Sequence, residues 1–362
     1  MIDRIDETLF DALERVRDVG PLGTDDEASD ERRDDDAVRT DGGSDGWTDA
    51  ESPTSRTLHG VVHGQDGPYA CGEGGLLLGR DDEWTILLER GPGVSDNTLR
   101  DIAATDDGCR VWFAGDSGAL GYYDVADGHL SDYTAPMEKT STWEAIAVAG
   151  PTGEEHVRIA NGSGEVLDCT VEDGCPVWGD VVEPGGGSTI PGVTAGPNGF
   201  YAIDTSGGAY REPATLSGES DASDDTEDAG DEWEHIGVRN AEVDFQDVWA
   251  GDDEVFIAGA DGIAYWYDPD CENWTPLHVG QGALQAIRAR GSDTLAVATG
   301  GRLYEREASI RWTELESPTE KSLFGLALAR SSADVDDGLA TAPLDVAVGA
   351  GGVVLERDRS DR

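Results

Sequence analysis

Positive charge is scarce in this sequence. Of its 362 residues, 25 are Lys or Arg and 76 are Asp or Glu, which gives a formal net charge of -51. Lys139 and Lys321 are the only lysines. Proteins that bind nucleic acid present a basic surface to the phosphates, so this composition argues against a nucleic-acid partner.

Such an excess of carboxylates is typical of a protein from a cell that keeps molar salt inside. At about 1 M salt the Debye length falls to roughly 3 Å. Dense carboxylates then no longer repel one another over distance, and they keep the surface hydrated. We interpret the chain as halophilic; an acidic protein of an ordinary cytoplasm is the alternative.

Long hydrophobic runs are missing as well. No segment has the ~20 apolar residues that a membrane helix needs. The N-terminal residues also lack the apolar stretch or the paired arginines of a secretion signal. The sequence therefore predicts a cytoplasmic protein without membrane insertion.

Cysteine and histidine are few and show no ligand spacing. The five cysteines include no C-x-x-C pair, and the six histidines include no H-E-x-x-H or His-x-His pattern. The sequence thus indicates no transition-metal site, and we predict no cofactor. The spacing of Cys169 and Cys175 would allow them to face each other across a hairpin, but for an intracellular protein we favour two reduced thiols on neighbouring strands.

The N-terminal residues differ from the rest of the chain. Apolar side chains recur there at intervals of three and four residues, which predicts an amphipathic helix over 1–20. Its apolar face consists of Ile2, Ile5, Leu9, Leu13 and Val16. Residues 21–46 predict a disordered acidic linker, and 217–231 predict an acidic loop insert. Because a lone helix needs a surface to cover, we expect this one to dock onto a partner or to self-associate.

A repeat fills the chain from Trp47 onward. Seven units open with a tetrad of the form apolar–x–small or Asp–apolar: Leu58–Val61, Leu99–Ile102, Trp143–Ile146, Ile190–Val193, Phe245–Val248, Leu284–Ile287 and Leu323–Leu326. An apolar strand, a Gly-rich hairpin turn and a third strand follow, and Trp opens a fourth strand in most units. Four short strands in each of seven units predict an all-β, seven-bladed β-propeller over 47–357, with a tail over 358–362.

The last unit lacks a fourth strand of its own. The segment 47–53 precedes the first tetrad and reads WTDAESP, which matches WTELESP at 312–318, itself a predicted fourth strand. We therefore expect the N-terminal strand to complete the last blade, which removes two exposed sheet edges. A solenoid of stacked repeats is the alternative, and it needs capping units that the sequence lacks.

The second tetrad position varies from unit to unit, whereas its neighbours recur. It is occupied by His59, Arg100, Glu144, Pro191, Gln246, Gln285 and Phe324. Each begins an innermost strand, near the axial opening where propellers usually bind. We predict that His59, Arg100, Glu144, Gln246, Gln285 and Phe324 form a partner-binding ring. Residues that merely line a water-filled channel are the alternative.

The repeat resembles a known family. Its pattern of apolar-Ala-x-Gly-x-x-Gly-apolar, a short acidic turn and then Trp is similar to the BNR-type repeats of the Ycf48-like photosystem II assembly proteins, here in a chain of haloarchaeal-type acidity. The resemblance covers about residues 47–357. It implies a seven-bladed, non-catalytic propeller that holds other proteins during assembly. The acidic turn departs from the family's Asp box, as in Asp81-Asp82-Glu83-Trp84.

Two functional hypotheses follow. The first is a non-catalytic scaffold whose axial face engages a protein partner; the propeller itself is then monomeric, with self-association possible through the N-terminal helix. The second is a hydrolase or lactonase that uses a divalent cation in the axial cavity. Asp116, Asp204 and Asp261 lie in hairpin turns, where they either cap the turn or bind Ca²⁺.

Overall fold

The computed structural model of the protein describes residues 46–213, 233–238, 241–269, 271–308, 310–329 and 344–359. They belong to a compact unit that spans 43–362. The predicted helix over 1–20, the predicted linker up to residue 45 and the predicted insert over 217–231 lie outside the described residues. Within the described ranges, no helix has the length and apolarity that a bilayer span requires.

The strands form seven four-stranded antiparallel sheets, named blades 1 to 7. Strand β1 (Trp47–Asp49) belongs to blade 7. Blade 1 consists of β2 (Leu58–His63), β3 (Pro68–Gly72), β4 (Leu76–Arg80) and β5 (Trp84–Leu88). Blade 2 consists of β6 (Leu99–Ala104), β7 (Arg110–Gly115), β8 (Leu120–Asp124) and β9 (His129–Asp132). Blade 3 consists of β10 (Trp143–Ala149), β11 (His156–Asn161), β12 (Val166–Glu172) and β13 (Cys175–Val182).

The remaining blades repeat this order. Blade 4 consists of β14 (Gly192–Gly196), β15 (Gly199–Ile203), β16 (Ala209–Pro213) and β17 (Glu234–Gly237). Blade 5 consists of β18 (Phe245–Ala250), β19 (Val255–Gly259), β20 (Ile263–Asp268) and β21 (Asn273–His278). Blade 6 consists of β22 (Leu284–Arg290), β23 (Asp293–Ala298), β24 (Arg302–Ala308) and β25 (Arg311–Leu315). Blade 7 consists of β26 (Leu323–Ala327), β27 (Leu344–Gly349), β28 (Val354–Asp358) and β1.

The first strand of each blade lies at the axis. These strands contact one another in a closed cycle, β2 to β6, β10, β14, β18, β22, β26 and back to β2. Because the four strands of a blade alternate in direction, three features share one end of every blade. They are the start of the first strand, the turn between the second and third strands, and the connection to the next blade. We call this end the ring end.

The N-terminal strand closes the ring, as the sequence predicts. Strand β1 pairs with β28 in antiparallel register, with Trp47 opposite Arg357 and Asp49 opposite Leu355. Strand β28 ends one residue beyond the predicted boundary at 357, because Asp358 still pairs with Leu344. The seven-bladed, all-β architecture predicted from the repeats is therefore confirmed.

The tetrads supply the core between blades. Their first residues are all buried: Leu58, Leu99, Trp143, Ile190, Phe245, Leu284 and Leu323. Their fourth residues are buried as well: Val61, Ile102, Ile146, Val193, Val248, Ile287 and Leu326. The apolar residues that recur in the repeat thus pack between neighbouring blades, which leaves the variable second position for the axial channel.

Glycine is required where a hairpin turn backs onto the connection to the next blade. Gly352 has a φ of +74°, and a Cβ there would lie 2.0 Å from the carbonyl oxygen of Thr54. Gly301 has a φ of +73°, and its Cβ would lie 2.1 Å from the carbonyl oxygen of Thr319. Both the dihedral angle and the close approach exclude a side chain, which explains why the repeat keeps glycine at the end of this turn.

The cysteines are not cross-linked. All five are free thiols. Cys169 pairs across β12 and β13 with Trp178, and Cys175 pairs with Glu172, so the two cysteines do not face each other and are free thiols on neighbouring strands, as the sequence favours. The two-residue turn of Asp173 and Gly174 sets this register, because it places Glu172 opposite Cys175. Burial raises the pKa of Cys169 to about 12, which keeps its thiol protonated.

Candidate functional site

The second tetrad residues meet at the mouth of an axial cavity of about 610 Å³. All seven of them line it: His59, Arg100, Glu144, Pro191, Gln246, Gln285 and Phe324. The structure therefore brings together every residue of the predicted ring.

A β-bulge aims six of these side chains. The register between the first two strands shifts at the second tetrad position in every blade except blade 4. A bulge places two residues opposite one and redirects the extra side chain. In blade 4, Pro191 precedes β14, and a proline has no N–H to contribute to the ladder. The six bulged residues are the six predicted to bind.

Arg100 is the centre of a charged group in the ring. Its Nε lies 2.6 Å from Asp116 Oδ1, and its Nη1 lies 3.2 Å from Glu144 Oε2. Burial raises the pKa of Glu144, and Arg100 opposes that rise. Asp116 thus contributes to the ring, although its turn position in the sequence predicts only a turn cap or a Ca²⁺ ligand. The shared ring end of strand starts and hairpin turns is the signal that could have revealed it.

An aromatic pair forms another part of the ring. The imidazole of His59 and the phenyl ring of Phe324 have centroids 5.9 Å apart and planes tilted by 35°. Burial and the nearby charge of Arg100 lower the pKa of His59 below 6.5. The imidazole is therefore mainly neutral at pH 7 and offers a flat surface with one donor and one acceptor.

The two glutamines are the neutral polar members of the ring. Gln285 donates from Nε2 to the carbonyl oxygen of Leu284 at 3.3 Å. Gln246 has no side-chain hydrogen bond to another described residue, and it is half-buried. Such amides can donate to and accept from a peptide backbone. One ring thus combines an ion-pair group, an aromatic pair and free amide groups.

Two carboxylates lie one residue deeper in the channel. Asp101 accepts the backbone N–H of Ile102 on Oδ1 and that of Ile146 on Oδ2, both at 2.8 Å. Asp247 Oδ2 accepts the N–H of Ile287 at 2.8 Å and also binds Arg288. Each carboxylate therefore links its own blade to the innermost strand of the next blade.

Sequence reasoning missed these two carboxylates. They occupy the third tetrad position, which was interpreted as a packing position that tolerates a small residue or Asp. The other blades place Gly60, Ala145, Gly192, Ala286 and Gly325 there. Two ionisable side chains among five small ones were the available signal.

The environment of Asp101 perturbs its ionisation. Burial raises its pKa from 3.8 to about 7, and the charge of Asp247 adds to this rise. The N–H groups of Ile146 and Ile102 and the guanidinium of Arg288 act in the opposite direction. The carboxyl group at the centre of the channel thus titrates near neutral pH.

We expect Asp101→Asn to remove a pH dependence of stability. The folded chain holds a proton between pH 3.8 and about 7 that the unfolded chain has released. This contribution to the free energy of unfolding is therefore fully present below about pH 4 and is lost as the pH rises to about 7. Urea unfolding in about 2 M KCl, at several pH values across this window, measures how steeply the free energy of unfolding of each variant changes with pH.

The matched control is Asp96→Asn. Asp96 is an exposed carboxylate whose pKa is lowered by its hydrogen bond to Arg90, so it does not titrate within the window. It should leave the slope of the wild type unchanged. If the free energy of unfolding changes equally with pH in the wild type and in Asp101→Asn, Asp101 is not the group that titrates in this window.

The other turn aspartates cap their hairpins. Asp204 Oδ1 accepts the N–H groups of Ser206 and Gly208, each at 2.8 Å. Asp261 Oδ1 accepts the N–H of Ile263 at 3.1 Å. Among the described residues, no three His, Cys, Asp or Glu side chains are grouped as a metal site would require.

Comparisons with known proteins support the fold. The structure of YCF48 bound to a D1 peptide has a TM-score of 0.61 and 13% identity, over 87% of this chain and 96% of that one. YCF48 from Cyanidioschyzon merolae has a TM-score of 0.62 and 14% identity, over 88% of this chain and 100% of that one. The WD40 β-propeller domain of Doa1 has a TM-score of 0.60 and 10% identity, over 88% of this chain and 98% of that one. No protein-family model and no curated protein matches the sequence.

Proposed function

We propose that this protein is a binding scaffold that holds a protein partner at the mouth of its axial channel. The observation that carries the proposal is the ring of unlike side chains. The recurring tetrad residues are buried between blades, whereas the second position presents six residue types over the seven blades, with Gln alone occurring twice. A rigid ring of seven side chains of six types can recognise a surface without symmetry, and a repeat built only for packing does not require such variety.

The chemistry of the ring suits a polypeptide. Interfaces concentrate their binding energy in a few aromatic and Arg residues, surrounded by polar groups. Arg100 is 40% exposed at its side chain, and the pair of His59 and Phe324 lies in the same ring. Gln246 and Gln285 complete it with amide groups that suit a peptide backbone.

The structural neighbours are consistent with this proposal. YCF48, which shares the fold, has been captured with a D1 peptide. By analogy, the present chain is proposed to bind an extended segment of its partner, and the resemblance to assembly proteins favours a role in assembly. The helix predicted over 1–20 stays a second proposed contact, either with the partner or with another copy of the chain.

The test compares two apolar truncations. Phe324→Ala removes a ring side chain, and Ile310→Ala removes one that is 70% exposed in blade 6 at the end opposite the ring. The tagged chain and both variants are used to capture proteins from the source organism in molar KCl. Retained proteins are identified by mass spectrometry, and their affinity is then measured with purified components.

We expect Phe324→Ala to weaken binding of the partner at least about tenfold, as a residue near the centre of an interface does. Ile310→Ala should bind as the wild type does. The same capture with a chain that lacks residues 1–45 identifies proteins that the predicted helix holds. If every retained protein binds the wild type and Phe324→Ala equally well, the ring is not the binding site.

A further inference from the structure

The charges that line the axial cavity do not balance. Its acidic residues are Asp101, Asp106, Glu144 and Asp247, and its basic residues are Arg100 and Arg288. Both arginines are already neutralised, Arg100 by Asp116 and Glu144 and Arg288 by Asp247.

Asp101 differs from Glu144 and Asp247, which both pair with an arginine. It forms no ion pair with any described residue, and its hydrogen bonds are the two that it accepts from backbone N–H groups. Each oxygen of a carboxylate can accept a second hydrogen bond. A largely buried carboxylate without a counter-ion is unfavourable, and a cation placed next to it would remove that penalty.

The walls of the channel restrict what this cation can be. Metal coordination needs several oxygen ligands at one point, and no such group of side chains occurs among the described residues. The lining of the cavity includes the small side chains of Val62, Ala103, Ala147 and Thr194. They leave room for a slender chain. A slender apolar stem with a cationic head is the form of a Lys or Arg side chain.

The mouth suits the stem of such a side chain. His59 and Phe324 offer ring faces to a passing methylene chain or cation, and the imidazole is mainly neutral at pH 7. Gln246 and Gln285 are neutral as well. A cation entering on this side of the ring therefore meets no unpaired positive charge before it reaches Asp101.

We propose that the axial channel receives a Lys or Arg side chain of the protein partner, with the carboxylate of Asp101 as its counter-ion. This inference rests on the proposed function and adds the chemistry of the partner to it. The raised pKa of Asp101 is consistent with a carboxylate that lacks its counter-ion in the free protein.

The experiment uses a library of synthetic random octapeptides as the probe and the full chain in molar KCl. Peptides that bind are sequenced, and the tightest one is resynthesised with norleucine in place of its basic residue. Norleucine keeps the stem and lacks the charge. Titration calorimetry gives the affinity of both peptides for the wild type, for Asp101→Asn and for the control Asp96→Asn.

We expect one position of the selected peptides to be Lys or Arg. Norleucine at that position should weaken binding to the wild type and to Asp96→Asn at least about tenfold, and binding to Asp101→Asn less than about threefold, as for a buried charge pair. Since Asn offers only one acceptor for the two N–H groups of Ile102 and Ile146, this variant is at risk of misfolding. Zero-length carbodiimide coupling on the wild type is therefore the second measurement. It uses the peptide with Lys at the basic position, since a guanidinium does not couple, and it should join this Lys to Asp101.

Other outcomes overturn the inference. Selected peptides without a basic residue, equal norleucine effects on the wild type and Asp101→Asn, or coupling only to Glu144 would overturn it and leave the proposed function standing. Cadaverine that binds as tightly as the peptide would assign the site to a free amine instead. A library without any binder would count against both proposals.

Discussion

Asp345→Asn is expected to lower the free energy of unfolding by about 3–5 kcal/mol. Asp345 is completely buried, and its Oδ2 accepts hydrogen bonds from Arg357 Nη2 at 2.8 Å and Arg359 Nε at 2.6 Å. Its Oδ1 accepts the backbone N–H of Ala329 at 3.0 Å. The substitution removes the charge that both buried guanidinium groups share, so the two cations remain in the protein without their main partner.

The ionisation of Asp345 agrees with this role. Burial opposes the charged form, but the N–H of Ala329 and the two guanidinium groups outweigh burial and hold the pKa of Asp345 below 3.8. A carboxyl whose pKa is lowered by folding stabilises the protein above its unfolded pKa and loses that effect as the pH falls through its folded pKa. The pair is thus fully formed at neutral pH, where the unfolding experiment is carried out.

The control for Asp345→Asn is Asp96→Asn. The pair of Asp96 with Arg90 has a comparable distance, 2.6 Å, but both side chains are about half exposed, at 51% and 53%. An exposed pair is screened by solvent and contributes little to stability, so this variant should unfold close to the wild type. Urea unfolding followed by circular dichroism measures both. Equal losses would mean that burial does not determine the contribution of the pair.

Arginine side chains form ion pairs between neighbouring blades in this acidic chain. Five of the seven joints have an Arg–Glu ion pair: Arg80–Glu356, Arg110–Glu155, Arg158–Glu212, Arg306–Glu254 and Arg357–Glu305. These five arginines thus lie where a charge is partly buried and is screened less by salt.

The repeat in the sequence predicted the blades because it reports burial. Leu58 and Val61 recur as apolar residues in every unit since each faces a neighbouring blade, and the matching segments after Trp47 and Trp312 indicated the closure. The ring could be predicted from the same pattern, because its variable position stands out between positions that are apolar or small in most units. Burial patterns therefore gave the architecture and located the mouth of the channel.

Partners of polar residues could not be predicted in this way. Asp101 and Ile146 are 45 residues apart, and the hydrogen bond between them depends on how two separate blades are offset. Likewise, the pairing of Arg100 with Asp116 requires a bulge at one strand start and a hairpin turn at the same end. Periodicity determines which face of a strand is buried, whereas these contacts depend on the relative position of neighbouring strands and turns.

The closing strand depends on one large side chain. Trp47 is completely buried in a cluster with Leu303, Leu323 and Leu355, which belong to blades 6 and 7. The guanidinium carbon of Arg357 lies 5.0 Å from the centroid of its ring. Strand β1 has only three residues. Its few hydrogen bonds stabilise it little by themselves, so the strand depends on the buried indole of Trp47.

Trp47→Ala is therefore expected to lower the free energy of unfolding by about 3–5 kcal/mol, because it leaves a cavity in that cluster. It should also release β1 and expose the edge of β28. Urea unfolding measures the loss of stability, and hydrogen exchange of the β28 amides measures the release of the strand. Trp178→Ala, in the outer strand of blade 3 where the indole is half-buried, should lower stability less and leave exchange in β28 unchanged. Since Trp47 lies at the joint that holds the two ends of the ring together, protection of β28 that survives Trp47→Ala would show that blade 7 stays closed without its anchor.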